Sequence, residues 1–161
     1  VILHNYSSSH TDRVSDRLVE PFGFTTNYVQ IWCYEPDSQL NKLFNTARIE
    51  KVEILNKEWE YEEHHRKGYI DIFRISGYEQ HRVQLILGVL SYNLLTEEYP
   101  LSTRDIHRID NNHWKLDTLV SNYVGIGRFV MGLYSDITII TPEFQEYINQ
   151  IIRERYNSIK E

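Results

Sequence analysis

Cysteine, methionine and basic charge are scarce in this sequence. The single cysteine, Cys33, excludes an internal disulfide and a cysteine-rich zinc module, and it fits a cytoplasmic address. The single methionine is Met131; the chain starts at Val1, within a run (VILHNY) that is already apolar and β-forming. That start reads as a cut at a domain boundary, so the chain is expected to be the C-terminal part of a longer protein. No apolar run approaches the ~18–20 residues of a membrane span, and no membrane partner is expected. Lys and Arg number 17 against 23 Asp and Glu, for a net charge of −6. That balance argues against a broad nucleic-acid face and leaves room only for local basic pockets. No repeat or low-complexity tract occurs.

Signatures of catalysis are missing too. There is no G-x-S-x-G, P-loop or HExxH pattern. Gly125-Ile126-Gly127 starts like a dinucleotide loop, but Val130 stands where the third glycine would be, so close packing at a helix start is the expected role. The carboxylates are scattered, with no spacing that marks an acid/base pair. His64 and His65 are adjacent and point apart on a helix; His107 and His113 bracket a turn with no third ligand near them in sequence. Neither an enzyme nor a metal or cofactor site is expected.

What is present is ordinary globular material, 41% hydrophobic and 25% charged, with 12 Tyr, 6 Phe and 3 Trp. Two rhythms divide it. Residues 1–56 read as five short strands: VILHNY, then 14–24 bent at Pro21 and Gly23, 28–34, 40–44 and 47–55, with turns at SSSHTD and EPDSQ. Many short strands in so little chain predict a small SH3- or Sm-like β-barrel. Residues 57–81 read as a linker: KEWEYEEHHRK is charged and solvated, HHRK included, and Trp59, Ile72 and Phe73 are expected to pack between the domains. From 82 to 161 strand and helix alternate. VQLILGV is a strand, LSYNLLTEEY a helix stopped before Pro100, and DIHRID with HWKLDTLV a hairpin around Asn111-Asn112. Asn122 caps YVGIGRFVMGLY, ITII is a strand, and Thr141 caps a last helix with Pro142 in its first turn. Phe144, Tyr147, Ile148, Ile151, Ile152 and Tyr156 share one face of that helix, so Phe144, Ile148, Ile151 and Ile152 are expected in the core. This predicts βαββαβ plus a terminal helix, a ferredoxin-like α/β sandwich within an α+β protein.

The order of these pieces resembles the WYL-domain family with its C-terminal WCX extension. Tyr6-Ser7-Ser8 matches the Y-x-S of the family's first strand, and Arg17 with Pro21 matches its Arg four residues before a Pro. QIWCYE matches the central strand that ends in an aromatic, and FNTARI the closing F-R-x-x-R-I-like strand. GYIDIF, the strand–helix pair, RFVMGL and TPEF resemble the WCX part, so the resemblance spans almost the whole chain. Two positions depart from the pattern: Val29-Gln30-Ile31 replaces the Trp-Tyr-Leu triplet, and Asn45 replaces the first Arg of the closing motif. The resemblance implies a ligand-sensing module of a bacterial transcription regulator, whose DNA-binding domain lies upstream of the residues in view. DNA would be met only through that domain. The effector would be a small anionic nucleotide-like molecule or a short single-stranded oligonucleotide.

The candidate ligand site is Arg17 and Arg48, each on its own strand, supported by Tyr6, Ser8 and Tyr34. Two guanidiniums grip a phosphate through charge-assisted, bidentate bonds. Hydroxyls and aromatic faces add contacts to the anion or to a base. On the bland alternative both arginines pair with local acids such as Asp16, Glu20 or Glu50. Trp32 and Cys33 read as core. A second functional reading is an oligomerisation module that has lost its ligand, with a homodimer formed through a sheet edge or helix face of the second half.

Overall fold

The computed structural model describes residues 1–8 and 12–160, apart from the side chains of Asn27 and Lys160. Of the expected turn at 7–12, residues 9–11 lie outside the described residues. The chain is mixed α+β, as its two rhythms predict, and divides into the units Val1–Gly68 and Tyr69–Glu161. Residues 57–68 fold with the first unit and 69–81 with the second.

The first unit has strands β1 (Ile2–Ser8), β2 (Arg13–Leu18), β3 (Glu20–Phe24), β4 (Gln30–Glu35), β5 (Leu40–Asn45) and β6 (Lys51–Glu53). They form two antiparallel sheets, β2-β1-β6 and β3-β4-β5. Only Val19 separates β2 from β3. It is fully buried and its N–H donates to the Val1 carbonyl at 3.0 Å, so the chain leaves one sheet and enters the other at a single residue. The bend at Pro21 and Gly23 is a register shift in the β3–β4 ladder. β5 leads back to β6 through a 3₁₀ turn, Thr46–Arg48, which shortens the strand expected over 47–55 to three residues. The ladder order is therefore β6-β1-β2, then β3-β4-β5 after the corner. Among the described residues no ladder joins β5 to β6, so the hydrogen bonds form two antiparallel three-stranded sheets. Leu3, Tyr6, Val19, Cys33 and Phe44 are the core of this unit.

The second unit starts with a two-residue ladder of β7 (Tyr69–Ile70) and β8 (Ser76–Gly77). Buried Asp71 closes the turn between them by accepting the Phe73 and Ile75 amides, and it also accepts the Ser121 amide at 3.0 Å. β9 (His81–Leu87), α1 (Val89–Glu98), β10 (Ile106–Arg108), β11 (Trp114–Val120), α2 (Tyr123–Gly132), β12 (Ile137–Ile139) and α3 (Pro142–Lys160) follow. The sheet order is β10-β11-β9-β12 with every neighbour antiparallel, a split β–α–β arrangement. Alternation sets the buried face: Val83, Leu85 and Leu87 on β9 lie beside Thr118, Leu116 and Trp114 on β11. On α2, Ile126, Phe129 and Val130 recur at helical spacing and are buried, and the Asn122 side chain caps the helix by accepting the Val124 amide. A Cβ on Gly125 would lie 2.6 Å from Phe73 Cβ, which explains the glycine by close packing. Ile72 and Phe73 are buried in this core, while Trp59 belongs to the first unit. On α3, Phe144 and Ile148 are buried and Ile151 partly so, but Ile152 is 37% exposed and Tyr156 58%. The apolar face of α3 continues past the residues that the core covers, so Ile152 is not the core residue the periodicity predicts.

Gly88 makes a testable point in this unit. Asp136 Oδ2 accepts the Ser91 amide at 2.8 Å and its carbonyl accepts the Gly88 amide at 2.9 Å, so this one residue holds the start of α1. A Cβ on Gly88 would sit 2.4 Å from Asp136 Oδ1. Gly88→Ala is expected to cost about 1–3 kcal/mol by overpacking and loss of that cap. An unchanged denaturation midpoint would show that Asp136 can move aside freely.

Candidate functional site

Arg17 sits on β2 directly opposite Leu3, so its side chain lies on the same face of the sheet as a core residue. It runs inward and reaches Glu35 at the end of β4, Nη1 to Oε1 at 3.3 Å. Glu35 shares a strand face with Cys33 and is only 3% exposed. It also accepts Ser38 Oγ at 2.7 Å from the turn that follows. Lys42, opposite Cys33 on β5, completes the cluster with an ion pair to the other carboxylate oxygen. Two cations thus share one anion. The Nε of Arg17 is buried with no hydrogen-bond partner among the described residues. Burial by itself would raise the Glu35 pKa, but the hydrogen bonds of Lys42 and Ser38 and the charges of Lys42 and Arg17 outweigh it. The carboxyl is held below its ordinary value.

The other candidate residues are placed as follows. Tyr6 is buried, edge-on to Phe44 at 4.8 Å, and its Oη accepts the Asn45 amide at 3.3 Å. Asn45 Oδ1 in turn accepts the Ala47 amide and so caps the turn that ends at Arg48. Arg48 is exposed, Ser8 is half-buried at the end of β1, and both have interactions of their own. Tyr34 is the exception. It neighbours Cys33 and Glu35 in sequence and so points to the opposite face of β4 from them. Arg17 and Tyr6 are thus on the inner side of the unit, and Tyr34 is turned away from them.

The stretch 57–68 packs on that other face. Tyr34 meets the rings of Tyr61 at 5.3 Å and His64 at 5.6 Å. Glu20 is the anchor: it accepts the Glu60 and Tyr61 amides and pairs with His65 Nε2 at 2.9 Å. His65 stacks on Phe22 at 4.6 Å and meets Trp59 edge-on at 5.0 Å. The sequence places HHRK on a solvated face. The His65 side chain is instead only 7% exposed, because this stretch is a 3₁₀ turn in irregular chain and not an exposed helix.

The bland alternative names Asp16, Glu20 and Glu50 as partners for the arginines. Those acids meet His4, His65 and Asn5, and the acid that Arg17 finds is Glu35. Burial pushes the Cys33 thiol up to about 12, in keeping with a structural role. Sequence reasoning missed Glu35, Lys42 and Ser38. The signal was Glu35 itself, an acid at i+2 from Cys33 on a strand expected to face the core.

No protein-family model and no curated protein matches this chain. Among solved structures it is similar to proteasome accessory factor B/C (PafBC) of Arthrobacter aurescens, at 10% identity and a TM-score of 0.33, over 91% of this chain. The match covers 23% of that protein's chain. A likeness this distant transfers neither fold detail nor function. Among the described residues, no helix is long and apolar enough to cross a membrane, and no group of three or more His, Cys, Asp or Glu could hold a metal.

Proposed function

We propose that the chain is a non-enzymatic, cytoplasmic, ligand-sensing module of a bacterial transcription regulator. Its first unit is a small SH3-like barrel that binds an anionic, nucleotide-like or oligonucleotide effector. Its second unit is a ferredoxin-like WCX-type domain, and DNA is met through a domain upstream. The observation that carries this reading is the inward cluster of Arg17 and Lys42 on the single carboxylate of Glu35, which leaves one positive charge in excess; among the described residues Arg17 Nε has no hydrogen-bond partner. A half-buried cluster with net positive charge attracts an anion. The strand order, with Val19 at the corner and a 3₁₀ turn before the last strand, supports the small barrel. The order β10-β11-β9-β12 supports the ferredoxin-like half.

The second reading, a homodimerising module without a ligand, is favoured by one specific observation: Glu35 already supplies Arg17 with a counter-ion. Titration with short single-stranded oligonucleotides and cyclic nucleotides separates the two. On the leading reading the wild type binds, and Arg17→Ala and Arg48→Ala each lose about 1.5–3 kcal/mol of affinity. Added salt weakens binding, since part of it is Coulombic. Asn45→Arg restores the family's basic pair and tightens it. No binding by the wild type puts the interaction module first; binding indifferent to both arginines puts the site elsewhere.

A further inference from the structure

We propose that the second unit carries a ligand site of its own, a cleft beside β10 and β11 that binds a small planar aromatic acid. This proposal does not rest on the sensing role given above. The cleft has a volume of about 390 Å³ and is lined by Tyr92, Thr103, Ile106, Arg108 and Trp114. That is within the ~300–1,000 Å³ of small-molecule sites.

Its aromatic wall is fixed. The rings of Tyr92, on α1, and Trp114, on β11, stack at 4.1 Å with 6° between their planes, and both pack on the core of the unit. Ile106 packs on the same core and extends the apolar wall. The cation is fixed as well. Arg108 is the direct cross-strand partner of Trp114, and its Cζ lies 6.0 Å from the indole centroid. Backbone register therefore places the guanidinium beside the ring. Arg108 Nε donates to the Asp110 carbonyl at 2.8 Å and Nη2 to Asn111 Oδ1 at 3.2 Å.

Both acceptors are neutral. The carboxylate of Asp110 is engaged by the Asn112 amide and His113, and no carboxylate among the described residues forms an ion pair with Arg108. A guanidinium has five N–H donors, so two bonds orient it and three donors remain for a ligand. The turn at 110–112 accounts for the two bonds. The three remaining donors of this exposed guanidinium lie beside the aromatic pair. A flat ring set against the edge of the Tyr92–Trp114 stack and Ile106, with its acid group on the Arg108 fork, uses both features at once.

The test is proton–nitrogen NMR of the whole chain, following the indole N–H of Trp114, assigned through Trp114→Phe. Indole-3-acetate and AMP are the two probes, one carrying a carboxylate and one a phosphate. Saturable shifts at Trp114 with either, while the Trp32 indole stays put, support the site and identify the acid group it prefers. Absence of a shift with both at millimolar concentration overturns it. Acetate acting as strongly as the ring-bearing acids also overturns it, because the aromatic wall would then contribute nothing. Arg108→Gln should weaken the better probe roughly 10- to 100-fold. If that variant is misfolded, Arg108→Lys, which keeps the charge and loses the planar fork, should still weaken binding. Undiminished affinity in a folded variant overturns the proposal.

Discussion

Phe144→Ala is expected to cost about 3–5 kcal/mol of stability, the range for removing a fully buried aromatic side chain. Phe144 is wholly buried, with Tyr123 at 5.2 Å and Tyr147 at 6.1 Å between ring centroids. Ile148, one turn on, is equally buried. These two residues hold the first turns of α3 to the core of the second unit. Ile152→Ala is the informative control. It lies on the same apolar stripe but is partly in solvent, so its truncation should change stability by about 0.5 kcal/mol or less. Denaturant titration of both variants at equal m-value gives the comparison. Equal losses would mean that α3 is covered along its whole length. Loss at neither position would mean that the helix is not docked.

The second unit was legible in the sequence because its signals are local and repeat. β9 alternates, α2 has an apolar face with Asn122 ahead of it, and Asn111-Asn112 sits between two β-forming runs. Where the periodicity misled, at Ile152, the pattern was real but the covering surface ended. Periodicity gives the face of a helix and not the length over which it is covered. The first unit was less legible. Its strands are short, one changes sheet at Val19, and a 3₁₀ turn replaces part of the last.

The candidate site was legible in its residue types and not in its pairings. Arg17 and Tyr6 do face inward, but Tyr34 is separated from them by strand parity. The acid that meets Arg17 is 18 residues away, beyond any local spacing rule. His65 and Glu20 are 45 residues apart, so neither could identify the other from sequence. Side chains that meet through the fold are visible only once strand register is known.

Glu35→Ala is expected to cost the first unit about 3 kcal/mol. Removing one partner of a buried ion pair leaves the others uncompensated, at ~3–5 kcal/mol. The lower end applies because the side chains of Arg17 and Lys42 are 24% and 37% exposed and can turn partly to water. Glu35→Gln keeps the shape and one acceptor, and should fall between wild type and alanine. Acid supplies an independent check. The Glu35 carboxyl is held below its ordinary value of 4.5, so its contribution is complete above that pH and is lost as pH falls through the lowered value. The stability gap between wild type and Glu35→Ala should therefore be widest near neutrality and shrink below pH 4.5. Measured by denaturant midpoints across that range, a gap independent of pH would assign the loss to packing and not to charge. An alanine variant as stable as wild type would show that the two cations need no counter-ion, and that Glu35 is there to occupy the place of an external anion.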